Sequence, residues 1–208
     1  EGFQMEQVLV IDSKDVKLYE YQYVANINEL DLTPKFMDRD KAEVNENFLQ
    51  LIPYIVISTI DGKFVFTYQR GKAGGEERLH GQYTCGLGGH INPEDVTSSV
   101  EHDPLVKILK EAAIREVEEE VGCKFGFNDF KLNGFIFSDK TAVDRVHLGV
   151  LMMLVLEEED IKKLFDKGEL DTVVNREMKL VSDLQELELE NWSRISIDEL
   201  TYNGDLSV

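Results

Sequence analysis

The stretch KEAAIREVEEEVG, residues 110–122, places four glutamates among its last seven residues, in a chain whose formal charge is already −19. At about 100° per residue, Glu116, Glu119 and Glu120 fall within an arc of roughly 100° on a helix. Ile114, Val117 and Val121 lie on an adjacent face, and Glu118 points almost opposite the trio. Arg115 stands at i,i+4 from Glu119 and can pair with it. Like charges at these spacings cost about a few tenths of a kcal/mol per pair, and the C-terminal half of a helix disfavours anions further. A solvated charged face is the plain way to tolerate the crowd. A divalent cation is the other, because Mg²⁺ and Mn²⁺ take hard oxygen ligands and carboxylates sharing a face supply them.

Two neighbouring features favour the cation. The run GLGG, 86–89, offers backbone that can approach a ligand closely and lend it carbonyls or amides. The glycine-rich segment RGKAGGEERLHG, 70–81, carries Arg70, Lys72, Arg78 and His80. A metal site beside glycines and cations suits an anionic, phosphate-bearing small molecule. Arg70, Lys72 and Arg78 are therefore candidate phosphate clamps, each weighed against an ordinary surface charge. His80, His90 and His147 could touch substrate but read more simply as structural or surface histidines.

The elements that must hold these groups follow from periodicity. Leu109, Ala113, Val117 and Val121 recur every fourth residue and predict a helix over 105–121. Asp103 is its expected N-cap, Pro104 its first turn and Gly122 its end. YIVIST and FVFTYQ, separated by a DG pair, predict a β-hairpin. EQVLVID, QYTCG, LNGFIFS, LGVLMMLVL and EMKLVS read as strands, and residues 26–47 as irregular. DIKKLFDKG reads as helix, and DLQELELENWSRISIDEL as a helix broken once. The mixture is α/β, with hairpins in place of a regular βαβ alternation. Residues 1–52 are expected as an N-terminal extension on a core domain of residues 53–208.

Composition bounds the partners. The chain has 208 residues, with 22 Lys plus Arg against 41 Asp plus Glu. Such acidity argues against binding a nucleic-acid polymer. The longest apolar run, 148–156, is too short to span a bilayer. The first residues are acidic and lack the basic-then-apolar order of a secretory signal. The expectation is a cytoplasmic protein with no membrane partner. Cys85 and Cys123 fit reduced thiols, and no His or Cys partners stand at zinc-site spacing.

REVEEEVGC, Arg115–Cys123, resembles the core of the Nudix box, G-x5-E-x7-R-E-U-x-E-E-x-G-U, where U is bulky and aliphatic. Arg115, Glu116, Val117, Glu119, Glu120 and Gly122 match, and Cys123 stands loosely for the last U. Gly89 looks like the first glycine, with Asp95 where the family has glutamate. Nineteen residues lie between Asp95 and Arg115, where the box has seven, so the resemblance requires an insertion near VTSSVEHDPLVK. The segments LIPYIVI, RLHGQYTCGLGGHINPED and RVHLG also resemble a branch of MutT-type phosphoesterases, which points to no particular substrate.

The resemblance implies a Nudix-like α/β/α sandwich with a mixed sheet. It implies hydrolysis of a diphosphate linkage in a nucleoside diphosphate derivative or another small organic diphosphate, with Mg²⁺ or Mn²⁺ as cofactor. By that likeness Glu116, Glu119, Glu120 and the Gly89 carbonyl hold the metal, Arg115 positions a glutamate, and Gly88 and Gly89 contact the substrate. The general base is Glu116 or an acid outside the box, among Glu169, Asp171 and Glu177, of which Glu177 directly precedes a strand. Many relatives are homodimers, so a dimer is a possible state. The competing readings are a Nudix-fold binding or regulatory module without catalysis, and an acidic interaction protein with no site.

Overall fold

The computed structural model describes residues 4–71, 82–167 and 172–208. Its strands are β1 (Gln7–Asp12), β2 (Tyr21–Tyr23), β3 (Lys35–Asp38), β4 (Phe48–Thr59), β5 (Phe64–Arg70), β6 (Tyr83–Thr84), β7 (Gly86–Gly88), β8 (Phe130–Ile136), β9 (His147–Leu156) and β10 (Val173–Leu180). Its helices are α1 (Arg39–Ala42), α2 (Leu105–Val121), α3 (Glu158–Asp166), α4 (Val181–Leu184) and α5 (Asn191–Tyr202). The architecture is α/β, with a large and mostly antiparallel sheet. By internal contacts the chain divides into two compact units. One is Glu1–Tyr54, Gly88–Ala113 and Leu132–Leu151; the other is Ile55–Leu87, Ile114–Lys131 and Met152–Val208.

In the first unit, β1 lies antiparallel between β3 and β4, with Val10 opposite both Lys35 and Gln50. Val8, Leu9, Val10 and Ile11 are completely buried, as expected for an unbroken apolar run covered on both faces. Val8 and Val10 pack with Ala42, Met37 and Phe48. Residues 35–42 are therefore strand and helical turn where the sequence reads as irregular. α1 has four residues, too few to show a helical period. β2 pairs antiparallel with β8.

The same unit corrects the expected helix cap. The Asp103 carboxylate accepts from the backbone nitrogens of Thr97 and Ser98, at 2.9 and 3.1 Å, and from both of their hydroxyls. Those donors, first the Ser98 amide, hold its carboxyl well below the usual range. Pro104 takes the cap position, its carbonyl accepting from Lys107 and Ile108. Asp103 thus closes the loop before α2 instead of capping the helix.

In the second unit, β4 and β5 form the expected hairpin with Ser58 opposite Val65. Asp61 fixes the turn by accepting from the Thr59 hydroxyl at 2.6 Å and the Lys63 amide at 3.1 Å. β10 pairs along β5, placing Glu177 opposite Thr67, with a register shift after Val174 where Asn175 adopts φ 52°. α2, whose residues up to Ala113 belong to the first unit and the rest to the second, spans the residues its periodicity predicts, and Leu109, Ala113, Val117 and Val121 are all fully buried. Gly122 ends it at φ 77°, a left-handed conformation that favours glycine, with its amide bonded to the Glu118 carbonyl. Of the stretch 183–200 expected as a helix broken once, α5 supplies the second half; α4 reaches it only at Asp183 and Leu184, begins within the expected strand EMKLVS, and residues 185–190 are not helical.

Candidate active site

The last two turns of α2 present the acids of the second unit on unequal terms. Glu116 is buried, Glu119 and Glu118 are exposed, and Glu120 is half-buried. The Arg115 Nη1 donates to Glu116 Oε1 at 2.9 Å and to Glu119 Oε2 at 3.2 Å. One guanidinium nitrogen thereby ties two carboxylates of the trio together. The sequence spacing anticipates the Glu119 contact; the Glu116 contact follows from Arg115 folding back along its own helix.

Glu120 is held from another direction. Its Oε2 accepts from the Thr172 hydroxyl at 3.2 Å. Its backbone carbonyl accepts from Arg176 Nη2 at 3.3 Å, while Arg176 Nη1 reaches the Leu164 carbonyl at 3.1 Å. A guanidinium on the last carbonyls of α2 complements the negative end of the helix dipole. It offsets the penalty that three anions incur in that half of the helix.

Burial raises the Glu116 carboxyl to about 7; Arg115 opposes the rise, while Glu119 and Glu120 add to it. Burial also raises Glu120, against the pull of Thr172 and Arg70. Arg115 is shared between Glu116 and Glu119, while Arg70, itself paired with Glu190, and Arg176 favour ionised Glu120. The donors are hard oxygens with a deficit of positive charge, which is what Mg²⁺ or Mn²⁺ would supply. Glu116, Glu119 and Glu120 therefore fit such an ion.

The other expected site residues fall in varied places. Arg70, at the end of β5, makes a bidentate contact with the buried carboxylate of Glu190, its Nε and Nη2 reaching separate oxygens. Lys72 and Arg78 lie outside the described residues, as do His80, Glu169 and Asp171. Glu177 is exposed on β10, where its carboxylate pairs with Lys179 at 2.7 Å.

In the first unit, a Cβ on Gly88 would stand 2.6 Å from the Pro53 carbonyl oxygen, so β7 requires glycine there for close backbone packing. Gly89 follows β7 directly. Asp95, standing where the box has glutamate, is buried and accepts from the Asn92 amide at 2.9 Å, closing a 3-10 turn; Glu94 beside it is exposed. His90 and His147 lie together in this unit, near Glu43.

Thr172, Arg176 and Glu190 are the residues that sequence reasoning missed. Each acts through a fold contact across more than fifty positions of sequence, and only the nearness of Arg176 to Glu177 hinted at it. A cavity of about 430 Å³ opens past the end of α2, lined by Cys123, Lys124, Phe125, Lys163 and Lys167 among others. The glutamates do not line it, so its size says nothing about their ligand.

Protein YmaB of Bacillus subtilis (strain 168) is 34% identical to this chain over 169 residues, which cover 79% of the chain and 77% of that protein. The crystal structure of Tm1382, a candidate Nudix hydrolase, matches with a TM-score of 0.67 at 26% identity, over 95% of this chain and all of that one. The chain belongs to the Nudix family. The NUDIX domain of Shewanella oneidensis NrtR, solved with ADP ribose, matches with a TM-score of 0.52 at 13% identity, over 74% of this chain and 88% of that one. That likeness concerns the fold alone. No protein-family model matches the chain. No helix among the described residues is long and apolar enough to cross a membrane.

Proposed function

We propose that this Nudix protein hydrolyses a diphosphate linkage in a nucleoside diphosphate derivative or another small organic diphosphate, with Mg²⁺ or Mn²⁺ as cofactor. The observation that carries the reading is the pair of Arg115 contacts to Glu116 and Glu119, beside a Glu120 held by Thr172. Three carboxylates fixed on one helix face, one of them buried, have little structural reason to be there without a cation. Glu116, Glu119 and Glu120 would hold the Mg²⁺ or Mn²⁺, which would supply charge to offset that developing on the diphosphate and make water more acidic.

The chain's own residues supply the rest. Water attacks one phosphorus, the bridging P–O bond breaks, and the second phosphate group departs. The proton released by that water passes to a free carboxylate oxygen of Glu116. Burial raises the Glu116 carboxyl above an ordinary glutamate in the metal-free chain, which favours its taking up a proton. Glu177 is the poorer base, because it faces solvent and is paired with Lys179. Arg115 orients Glu116 and Glu119, and Thr172 orients Glu120, so the set need not reorganise as charge develops. Arg70 keeps a positive charge close enough to favour ionised Glu120. Lys72 and Arg78 complete the proposed clamp on the substrate phosphates.

The deciding experiment is a panel of nucleoside diphosphate derivatives and other organic diphosphates, assayed with Mg²⁺ or Mn²⁺ and with products identified. Release of a phosphate or a mononucleotide from one class supports hydrolysis. Tight binding without cleavage across the panel would point to a ligand-binding module on the same fold.

A further inference from the structure

The first unit contains a second cluster of donor atoms, unlike the glutamate helix in chemistry. His90 Nε2 lies 4.0 Å and His147 Nε2 3.9 Å from the same oxygen of Glu43. All three donor atoms lie within 4.8 Å of one another. The imidazoles meet edge to face, with centroids 5.5 Å apart. Both imidazole–carboxylate distances exceed hydrogen-bond length, so direct hydrogen bonding does not explain the convergence. We infer that Glu43, His90 and His147 form a separate metal site that takes a transition-metal dication of the zinc type.

Two observations support it. His147 Nδ1 lies 2.7 Å from the Val143 carbonyl, so it carries the proton and donates. That leaves the Nε2 lone pair facing Glu43, and a backbone carbonyl on the far nitrogen is how ligating histidines are commonly oriented. The histidine side chains are 15% and 12% exposed and that of Glu43 31%, which leaves an approach from solvent.

Arg39 is the unfavourable neighbour, its Nε 3.3 Å from Glu43 Oε1. It is also paired with Glu6 at 2.9 Å, so two carboxylates and one guanidinium give a net negative surrounding. Arg39 and both imidazoles face the same Glu43 oxygen, Oε1, so an ion would share that oxygen with Arg39 or take Oε2 after the carboxylate rotates. Tetrahedral zinc would bring the donors to about 3.3 Å apart, a closure of about 0.6–0.7 Å between Glu43 and each imidazole that side-chain rotation can supply. Imidazole ligands favour zinc-type ions over Mg²⁺, which suits carboxylates instead. The ion would tie together the end of α1, the residue after Gly89 and the first residue of β9, and so would act as a structural clip.

The test is titration of the full chain with Zn²⁺ in excess Mg²⁺, following the imidazole ¹⁵N resonances and the melting temperature. The expected result is one equivalent bound, with the Nε2 signals of His90 and His147 shifted. Saturation should raise Tm by about 5 °C. His147→Gln should abolish the binding. Glu43→Gln, a milder surface change, should weaken it at least tenfold, and covers the case in which His147→Gln does not fold. The Glu119→Gln/Glu120→Gln double variant should bind as the parent does. No shift at Nε2, or equal binding by Glu43→Gln, would overturn the site. Loss of binding in the double variant would assign the ion to the glutamate helix instead. None of these outcomes depends on whether the protein hydrolyses a diphosphate.

Discussion

The two donor clusters differ in how they are built. Glu116, Glu119 and Glu120 come from two consecutive turns of one helix, and all offer hard oxygens. Glu43, His90 and His147 come from three distant segments and offer mainly nitrogen. Helical geometry alone gathers the acids on one face, and tertiary contacts from Thr172 and Arg176 steady Glu120. The histidine cluster exists only once β1, β3 and β4 have assembled with the segments beside them. A site encoded on one helix can be read from a line of sequence. A site encoded by pairing cannot.

That contrast can be broken most severely at the exposed acid. Glu119→Gln should lower kcat by about a thousandfold, the consequence of losing several kcal/mol of charge stabilisation. The imidazole ¹⁵N response to Zn²⁺ should be unaffected. Equal loss of both signals would merge the two sites into one. Arg115→Lys should cost roughly 10- to 100-fold in activity or metal affinity, because the shorter lysine side chain does not place its ammonium where Nη1 meets both carboxylates. A steady-state assay across Mg²⁺ concentrations would reveal it as an increased metal requirement.

Glu116 sharpens the comparison through pH. Its carboxyl is raised to about 7 in the fold from an ordinary 4.5. It therefore favours the folded state below pH about 4.5 and loses that contribution as pH rises through about 7. In EDTA, Glu116→Gln should flatten the fall in stability over that window, and the variant should melt higher than the parent at pH 8. Thermal melts at pH 5 and pH 8 check this. A smaller effect is expected at Arg176→Gln, which removes guanidinium contacts to the Glu120 and Leu164 carbonyls. It should lower stability by about 1–2 kcal/mol, measured by urea unfolding.

Much of the fold was legible because the pattern and the physics agree. The helix over 105–121 is called for by four apolar residues that the structure buries completely, and the DG hairpin forms where its turn chemistry demands. Residues 35–42 were illegible, since their regular elements are shorter than the periods that would announce them. Asp103 was misread because a carboxylate before a helix has two uses, and the hydroxyl-rich loop at Thr97 and Ser98 claimed it. In the candidate site, the Arg115–Glu119 pair was visible as i,i+4 spacing. Arg70 looked like a free cation because its partner Glu190 lies 120 residues away. The zinc-type cluster escaped for the same reason, since a search for close His and Cys spacing passes over residues that only the sheet brings together.

The central claim is that the glutamate face of α2 is a divalent-metal seat for diphosphate hydrolysis. Its most direct test is turnover of the best substrate from the panel, measured against Mg²⁺ concentration for the parent chain and for Glu120→Gln. The account predicts saturable Mg²⁺-dependent turnover in the parent, abolished by EDTA, and near-complete loss in a variant that still folds. Turnover that persists in EDTA, or that Glu120→Gln leaves unchanged, would contradict it.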